Sequence, residues 1–213
     1  MAMSAGKAEV PLLRVGARVP FTRAEGPGSR YALWVQGCAI RCPGCCNPHL
    51  FEAAGGEAMP VSALLLEVAA ARDRSAIEGV TLLGGEPFEQ AAALAELAQG
   101  VRAMGLSVLA FSGHTLEELR SRAVGEPAVI ALLAALDVLV DGPYQAALPE
   151  SERLWVGSAN QRFHYFTDRY SAQIERPQDG EPLRTIEVRL SPEGRLSTNG
   201  WPLASLRRPG TQS

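Results

Sequence analysis

Cysteine is scarce in this chain of 213 residues, and all four lie between Cys38 and Cys46. A disulfide framework spreads its cysteines along the sequence to tie distant loops together, which this cluster cannot do. Basic blocks are missing as well. A net charge of −3 without any Lys/Arg run argues against nucleic acid or an anionic membrane surface as the main partner. No apolar run approaches the roughly 20 residues that a membrane-spanning helix needs. Met1 to Val10 lacks the apolar stretch of a signal peptide, so a cytoplasmic setting is expected. Internal repeats and low-complexity tracts are absent. The three histidines, at positions 49, 114 and 164, are too scattered to complete a paired zinc knuckle.

What is present suits one globular domain with a small appendage. Tyr31–Val35 is an aromatic and aliphatic run between Gly28 and Gly37, and it predicts a buried strand. Val61–Arg74 has apolar residues at helical spacing. Gly79–Leu83 is a short strand ending at Gly84-Gly85, Phe88–Met104 is a helix capped by Gly105, and Leu106–Phe111 is a strand broken by Ser112-Gly113. Thr115 with Glu118 gives a capping box. Ala128–Leu136 is a further helix and Asp137–Val140 a further strand, ended by Asp141-Gly142-Pro143.

Strands alternating with helices predict an α/β fold with a mostly parallel sheet and crossover helices. Site residues then gather where the strands end. The cysteine loop, Gly84–Pro87, Ser112–His114 and Asp141–Tyr144 all fall at such ends, so they should share one rim. Residues 1–20 read as a peripheral segment and 21–170 as the core domain. Residues 171–213 read as a C-terminal extension, where Thr185–Leu190, the turn Ser191-Pro192-Glu193-Gly194 and Arg195–Thr198 form a short β-hairpin.

The spacing Cys38-x-x-x-Cys42-x-x-Cys45 places three thiolates on one short loop. Three ligands to a 4Fe–4S cluster leave the fourth iron open, whereas four cysteines close it, as in ordinary electron carriers. Cys46 is read as packing beside the cluster, because adjacent side chains diverge. Structural zinc is the rival reading, but it usually draws on two separated knuckles, and no second pair exists.

These residues resemble a known family. Gly26-x-Gly28-x-Arg30, then Trp34-x-x-Gly37-Cys38-x-x-x-Cys42-x-x-Cys45-x-Asn47, is similar to the signature of the radical S-adenosylmethionine (SAM) activating enzymes of glycyl-radical proteins. The wording Cys42-Pro43-Gly44-Cys45-Cys46-Asn47-Pro48 is nearest to the anaerobic ribonucleotide reductase activators, with Cys46 where an aromatic residue is usual. The likeness runs from about Ala24 to Tyr170. It implies a partial (β/α) barrel of the radical SAM type, one 4Fe–4S cluster on Cys38, Cys42 and Cys45, and SAM as second cofactor. The implied chemistry is reductive cleavage of SAM to a 5′-deoxyadenosyl radical, which abstracts a glycine Cα hydrogen from a partner glycyl-radical enzyme. An external donor such as flavodoxin or ferredoxin would supply the electron.

The supporting segments carry two readings each. Gly84-Gly85-Glu86-Pro87 is either a tight turn opening a helix or a SAM site, with the glycines admitting the cofactor and Glu86 accepting from its ammonium group. Ser112 is a turn residue or a hydroxyl reaching SAM. His114 belongs to the rim, where the family often has Tyr. Asn160 and Gln161, in a Gly157-to-Arg162 segment similar to one of the family's, either fix loops or touch SAM. Trp34, Phe88, Phe111 and Trp155 are core candidates. Two other functions stay open: a radical SAM enzyme with another peptide or small-molecule target, and a non-enzymatic iron–sulfur or zinc module.

Overall fold

The computed structural model describes residues 11–200. The expectation for Met1–Val10 and the end of the C-terminal extension, from Trp201, lie outside the described residues. The first seven strands are β1 (Leu12–Thr22), β2 (Arg30–Val35), β3 (Glu57–Pro60), β4 (Gly79–Gly84), β5 (Ser107–Phe111), β6 (Val138–Asp141) and β7 (Arg162–Tyr165). They make one sheet in the order β3-β1-β2-β4-β5-β6-β7. The four central strands β2, β4, β5 and β6 are parallel, as the alternation of strands and helices requires. β1, β3 and β7 add to the sides antiparallel.

Four helices join the parallel strands or lie beside them: α1 (Val61–Ser75), α2 (Ala91–Ala103), α3 (Leu116–Ala123) and α4 (Pro127–Ala135). α1 buries Val61, Leu64, Val68 and Ala71, one stripe at helical spacing, and stops where Ala76 turns left-handed and its N–H bonds back to Arg72. The predicted Phe88 start shifts to Ala91. Pro87–Gln90 is instead a 3-10 turn, capped by the Glu86 side chain on Phe88 N–H. α3 opens on the expected capping box of Thr115 and Glu118. The helices share one core with the facing strand residues Leu33, Val35, Leu82, Val108 and Leu139. A smaller cluster of Ala32, Trp34 and Leu50 lies on the other face.

The segment around residues 12–20 is not peripheral. β1 pairs with both β2 and β3, and Leu13 and Val15 are buried in the core. Its alternation is clean only to Val15, because two register shifts follow.

At the amino ends of the parallel strands, Arg30 is wholly buried. Its Nε donates to Thr81 Oγ1 at 2.9 Å, Nη2 to the Val80 carbonyl at 2.6 Å, and Nη1 to Ser107 Oγ at 2.7 Å and Tyr170 Oη at 3.1 Å. One guanidinium thus closes that end of the sheet. The expected hairpin forms as β8 (Ile186–Leu190) and β9 (Leu196–Gly200). It fastens to the same end: Asn199 Nδ2 donates to Thr22 Oγ1 at 2.9 Å and Glu25 Oε1 at 3.0 Å.

Candidate active site

The opposite end is the rim. β2 runs into the cysteine loop, and β4 stops against the start of that loop. Gly85 N–H donates to the Val35 carbonyl at 2.8 Å, and Glu86 N–H to the Gly37 carbonyl at 2.7 Å. Gly84 has φ +117, and a Cβ there would strike the Val35 backbone. A Cβ on Gly85 would sit inside the Gly37 carbonyl. The two glycines therefore let two backbones touch, and the backbone they admit is that of the cysteine loop itself.

Glu86 is the rim's cross-brace. It is 1% exposed. Oε1 accepts from Phe88 N–H at 3.0 Å and from the Ser112 hydroxyl at 2.9 Å, and Oε2 accepts from Gly113 N–H at 2.8 Å. Burial pushes its carboxyl up to about 7 although all three donors favour the charged form. Ser112 in turn accepts from His114 N–H at 3.0 Å. Both readings of Glu86 thus meet a third fact: the side chain bonds the end of β4 to the end of β5. Pro87 is buried in the 3-10 turn behind it.

The loop after β6 closes the rim. Buried Asp141 Oδ2 accepts from Leu116 N–H at 2.6 Å, at the start of α3, and from Arg162 Nη2 at 2.9 Å. Arg162 also grips Glu117 at 2.6 Å. His164 Nε2 lies 2.9 Å from Asp141 Oδ2 but off a hydrogen-bonding angle. Gln161 fastens loops, its Oε1 accepting from Gly157 N–H and its Nε2 donating to the Gly142 carbonyl. Asn160 Nδ2 holds the Pro143 carbonyl at 2.8 Å, while its Oδ1 is buried without a partner among the described residues.

Between the cysteine loop and these strand ends lies an open cleft of about 640 Å³, walled by Ile40, Gly113, His114, Gly142, Pro143 and Asn160 among others. Burial, and then the charge of Arg122, pull the His114 imidazole below its ordinary range.

Cys38, Cys42 and Cys45 are half-buried free thiols on the loop. Among the described residues no three His, Cys, Asp or Glu side chains converge as they would on a single ion. A cubane asks for something else, thiolates spread over three of its corners. The donor chemistry fits such a cluster. Backbone amides of Arg41 and Ile40 reach the Cys38 sulfur, and Asn47 N–H donates to Cys45 Sγ at 3.4 Å. Burial pushes the Cys38 thiol up, whereas a hydrogen bond from Cys46 lowers Cys45 to about 6. Cys46 itself is exposed beside Cys45. Of the aromatic core candidates, Phe88 and Trp34 are buried, while Phe111 and Trp155 are partly exposed.

Sequence reasoning missed the Arg162–Asp141–Glu117 clasp. Its members are spread over 46 positions of the chain from Glu117 to Arg162 and meet only when β7 pairs with β6.

The sequence model of the 4Fe-4S single cluster domain family matches residues 24–164. The anaerobic ribonucleoside-triphosphate reductase-activating protein of Enterobacteria phage T4 is 31% identical over 70% of this chain and 92% of its own length. The protein of that name from Vibrio cholerae serotype O1 is 33% identical over 70% of this chain and 95% of its own. A putative glycyl-radical enzyme activating enzyme of Haemophilus influenzae is 35% identical over 46% of this chain and 36% of its own.

Proposed function

The chain belongs to the 4Fe-4S single cluster domain family, and on that premise we propose that it is a radical SAM enzyme that activates a partner glycyl-radical enzyme. When bound, one 4Fe–4S cluster and SAM supply the 5′-deoxyadenosyl radical that takes a hydrogen atom from a glycine Cα of the partner. The observation that carries this reading is the Cys38-x-x-x-Cys42-x-x-Cys45 loop seated against Gly84-Gly85, at the carboxyl ends of four parallel strands. Cys38, Cys42 and Cys45 are the cluster ligands in this proposal.

The chain's own residues prepare the place. Gly84 and Gly85 bring the strand end against the ligand loop, and the loop's amides soften the charge of the sulfurs. Glu86 and Ser112 lock the ends of β4 and β5 together, with the half-buried Gly84-Gly85 backbone left to approach SAM. The open cleft beside Ile40 is wide enough to admit a peptide loop carrying the reacting glycine. A cytoplasmic setting, which keeps thiols reduced, goes with this chemistry.

The partial (β/α) barrel of the radical SAM type is supported by the strand order. β2, β4, β5 and β6 follow one another in a single direction, so right-handed crossovers put every connecting helix on one face. On this reading the core domain, expected over 21–170, reaches back to Leu12 to take in the whole of β1, and the hairpin is an added piece. The hairpin clasps the end remote from the rim, so it gives no reason to change the substrate class.

Anoxic reconstitution with iron and sulfide, followed by dithionite and SAM, should yield 5′-deoxyadenosine. No 5′-deoxyadenosine from cluster-loaded protein would overturn the proposal. Cys42→Ala should lose cluster and product, while Cys46→Ala keeps both; the reverse pattern would sink the ligand assignment.

A further inference from the structure

After β6 the chain runs out over the rim without charge. From Gly142 to Pro149 it holds no Asp, Glu, Lys or Arg, in a protein whose residues are 20% charged. Ala146, Ala147, Leu148 and Pro149 are consecutive, apolar and exposed, Leu148 by 44%. A single exposed leucine is ordinary, but four apolar residues in a row facing water are kept where they serve a contact. The cysteine loop extends this patch. Its Pro43 and Gly44 are exposed too, and a methyl placed on Gly44 would lie 3.5 Å from Tyr144 Cε1 and 3.7 Å from Ala146 Cβ.

The run is held in one shape. Leu148 N–H donates to the Gln145 carbonyl at 3.0 Å, and the Leu148 carbonyl accepts from Ala159 N–H at 2.8 Å. Gln145 N–H donates to the Ser158 hydroxyl oxygen at 3.0 Å, and Pro149 is bridged to Ser158. Behind them buried Glu150 accepts from Ser151 N–H at 2.9 Å, Glu152 N–H at 2.8 Å and Arg153 Nε at 2.7 Å, while Arg153 Nη1 donates to the Gln161 carbonyl at 2.8 Å. A surface already ordered loses little freedom when it is covered. It is also continuous with the cleft, because Gly142, Pro143 and Gln145 wall that opening and residues 146–149 follow directly outside it. A loop that enters past Gln145 brings the body of its own protein down on those four residues.

Resting on the activase reading, we propose that Ala146–Pro149, with Pro43 and Gly44 beside it, is the seat for the body of the glycyl-radical protein whose loop enters the cleft. The occupant presents an uncharged, apolar shoulder next to its radical glycine, since no side chain of the seat could answer a charge. The cleft then chooses the glycine and the seat chooses the protein that carries it. No bond is made or broken at the seat.

The test sets two substrates against the full chain, reconstituted anoxically with iron and sulfide and reduced with dithionite, so that no protein donor has to dock. One is the whole anaerobic ribonucleoside-triphosphate reductase of the same organism. The other is a peptide of about ten residues centred on its radical glycine, long enough for the cleft and too short to press on the seat as a folded shoulder does. The double variant Ala147→Asp with Leu148→Asp puts two charges on the patch and leaves its main-chain bonds alone. KM for the whole reductase, followed by 5′-deoxyadenosine and by the glycyl-radical signal, should rise at least about tenfold, because an apolar contact would have to bury unpaired carboxylates. The kcat with the reductase, and both constants with the peptide, should stay within about threefold of wild type. If the double variant loads no cluster, Leu148→Asp alone carries the comparison. An unchanged KM for the reductase would overturn the proposal, and so would an equal loss with the peptide. A wild-type dimer that the variant splits into monomers would overturn it as well, since the patch would then belong to a second copy of this chain. Wild type that cleaves no SAM with either substrate would instead strike the activase reading itself.

Discussion

Glu86→Gln separates the charge of the rim's cross-brace from its shape. Above neutral pH the fold holds an ionised, fully buried carboxylate whose partners are Phe88 N–H, Ser112 O–H and Gly113 N–H. Its carboxyl is pushed up to about 7 from an ordinary 4.5. At about 1.4 kcal/mol per pH unit, ionised Glu86 costs the fold about 3 kcal/mol relative to its protonated form. An acid raised in the folded state favours folding while protonated. That contribution is complete below pH 4.5 and is lost as pH climbs to about 7. Gln cannot ionise and has no such slope. It brings a different cost: one amide oxygen still serves Phe88 and Ser112, but its NH2 faces the Gly113 N–H, a donor against a donor worth about 1–2 kcal/mol. The two stability curves should therefore cross. Urea denaturation of the cluster-free protein under reductant should find Glu86→Gln less stable than wild type by about 1–2 kcal/mol at pH 5 and equal or more stable at pH 8. Cys45, lowered to about 6, also titrates in this range, but it does so in both proteins and cancels in the difference. Parallel curves would refute the reasoning.

Three further outcomes follow from the same geometry. Gly85→Ala drives a methyl into the Gly37 carbonyl and should displace the cysteine loop; iron and sulfide content after reconstitution should fall severalfold while circular dichroism still reports a folded sheet, and full loading would contradict the packing described. Arg30→Lys replaces a fork that serves Val80, Thr81, Ser107 and Tyr170 with a single ammonium, leaving buried acceptors unpaired; a loss of about 3–5 kcal/mol is expected, and an unchanged Tm would show that the amino-end plug is dispensable. Asp141→Asn keeps the size of the side chain but weakens the Leu116 and Arg162 bonds; about 2–3 kcal/mol should be lost, with faster amide exchange at the start of α3 as the local signature.

The parallel heart of the fold was legible because its strands are largely buried on both faces and read as mainly apolar runs. Tyr31–Val35, and Val80–Leu83 with Thr81 as its one polar member, are the plainest cases. The antiparallel flanks were not. β1 carries Gly16, Arg14, Arg18 and Pro20 and slips register twice, so its alternation dissolves after Val15. β3 spans four residues, and β7 reads Arg-Phe-His-Tyr without a buried position. At the rim, the spacing of the cysteines and the two glycines announced a site, since both are local signals. The bonds from Glu86 to Ser112 and Gly113 join strands 26 and 27 residues apart, and no local pattern encodes that contact. The readings of Glu86 as a helix cap and as a ligand group both rest on its neighbours in sequence. Its cap on Phe88 is there, and the longer reach needs the sheet to exist first.

The buried Arg30 plug has a consequence for traffic. With its guanidinium bound to two strands, Tyr170 and a main-chain carbonyl, the amino end of the sheet is sealed by buried polar bonds, and arrivals and departures share the open cleft at the other end. Whatever is spent inside must be carried out past the place where the next arrival waits.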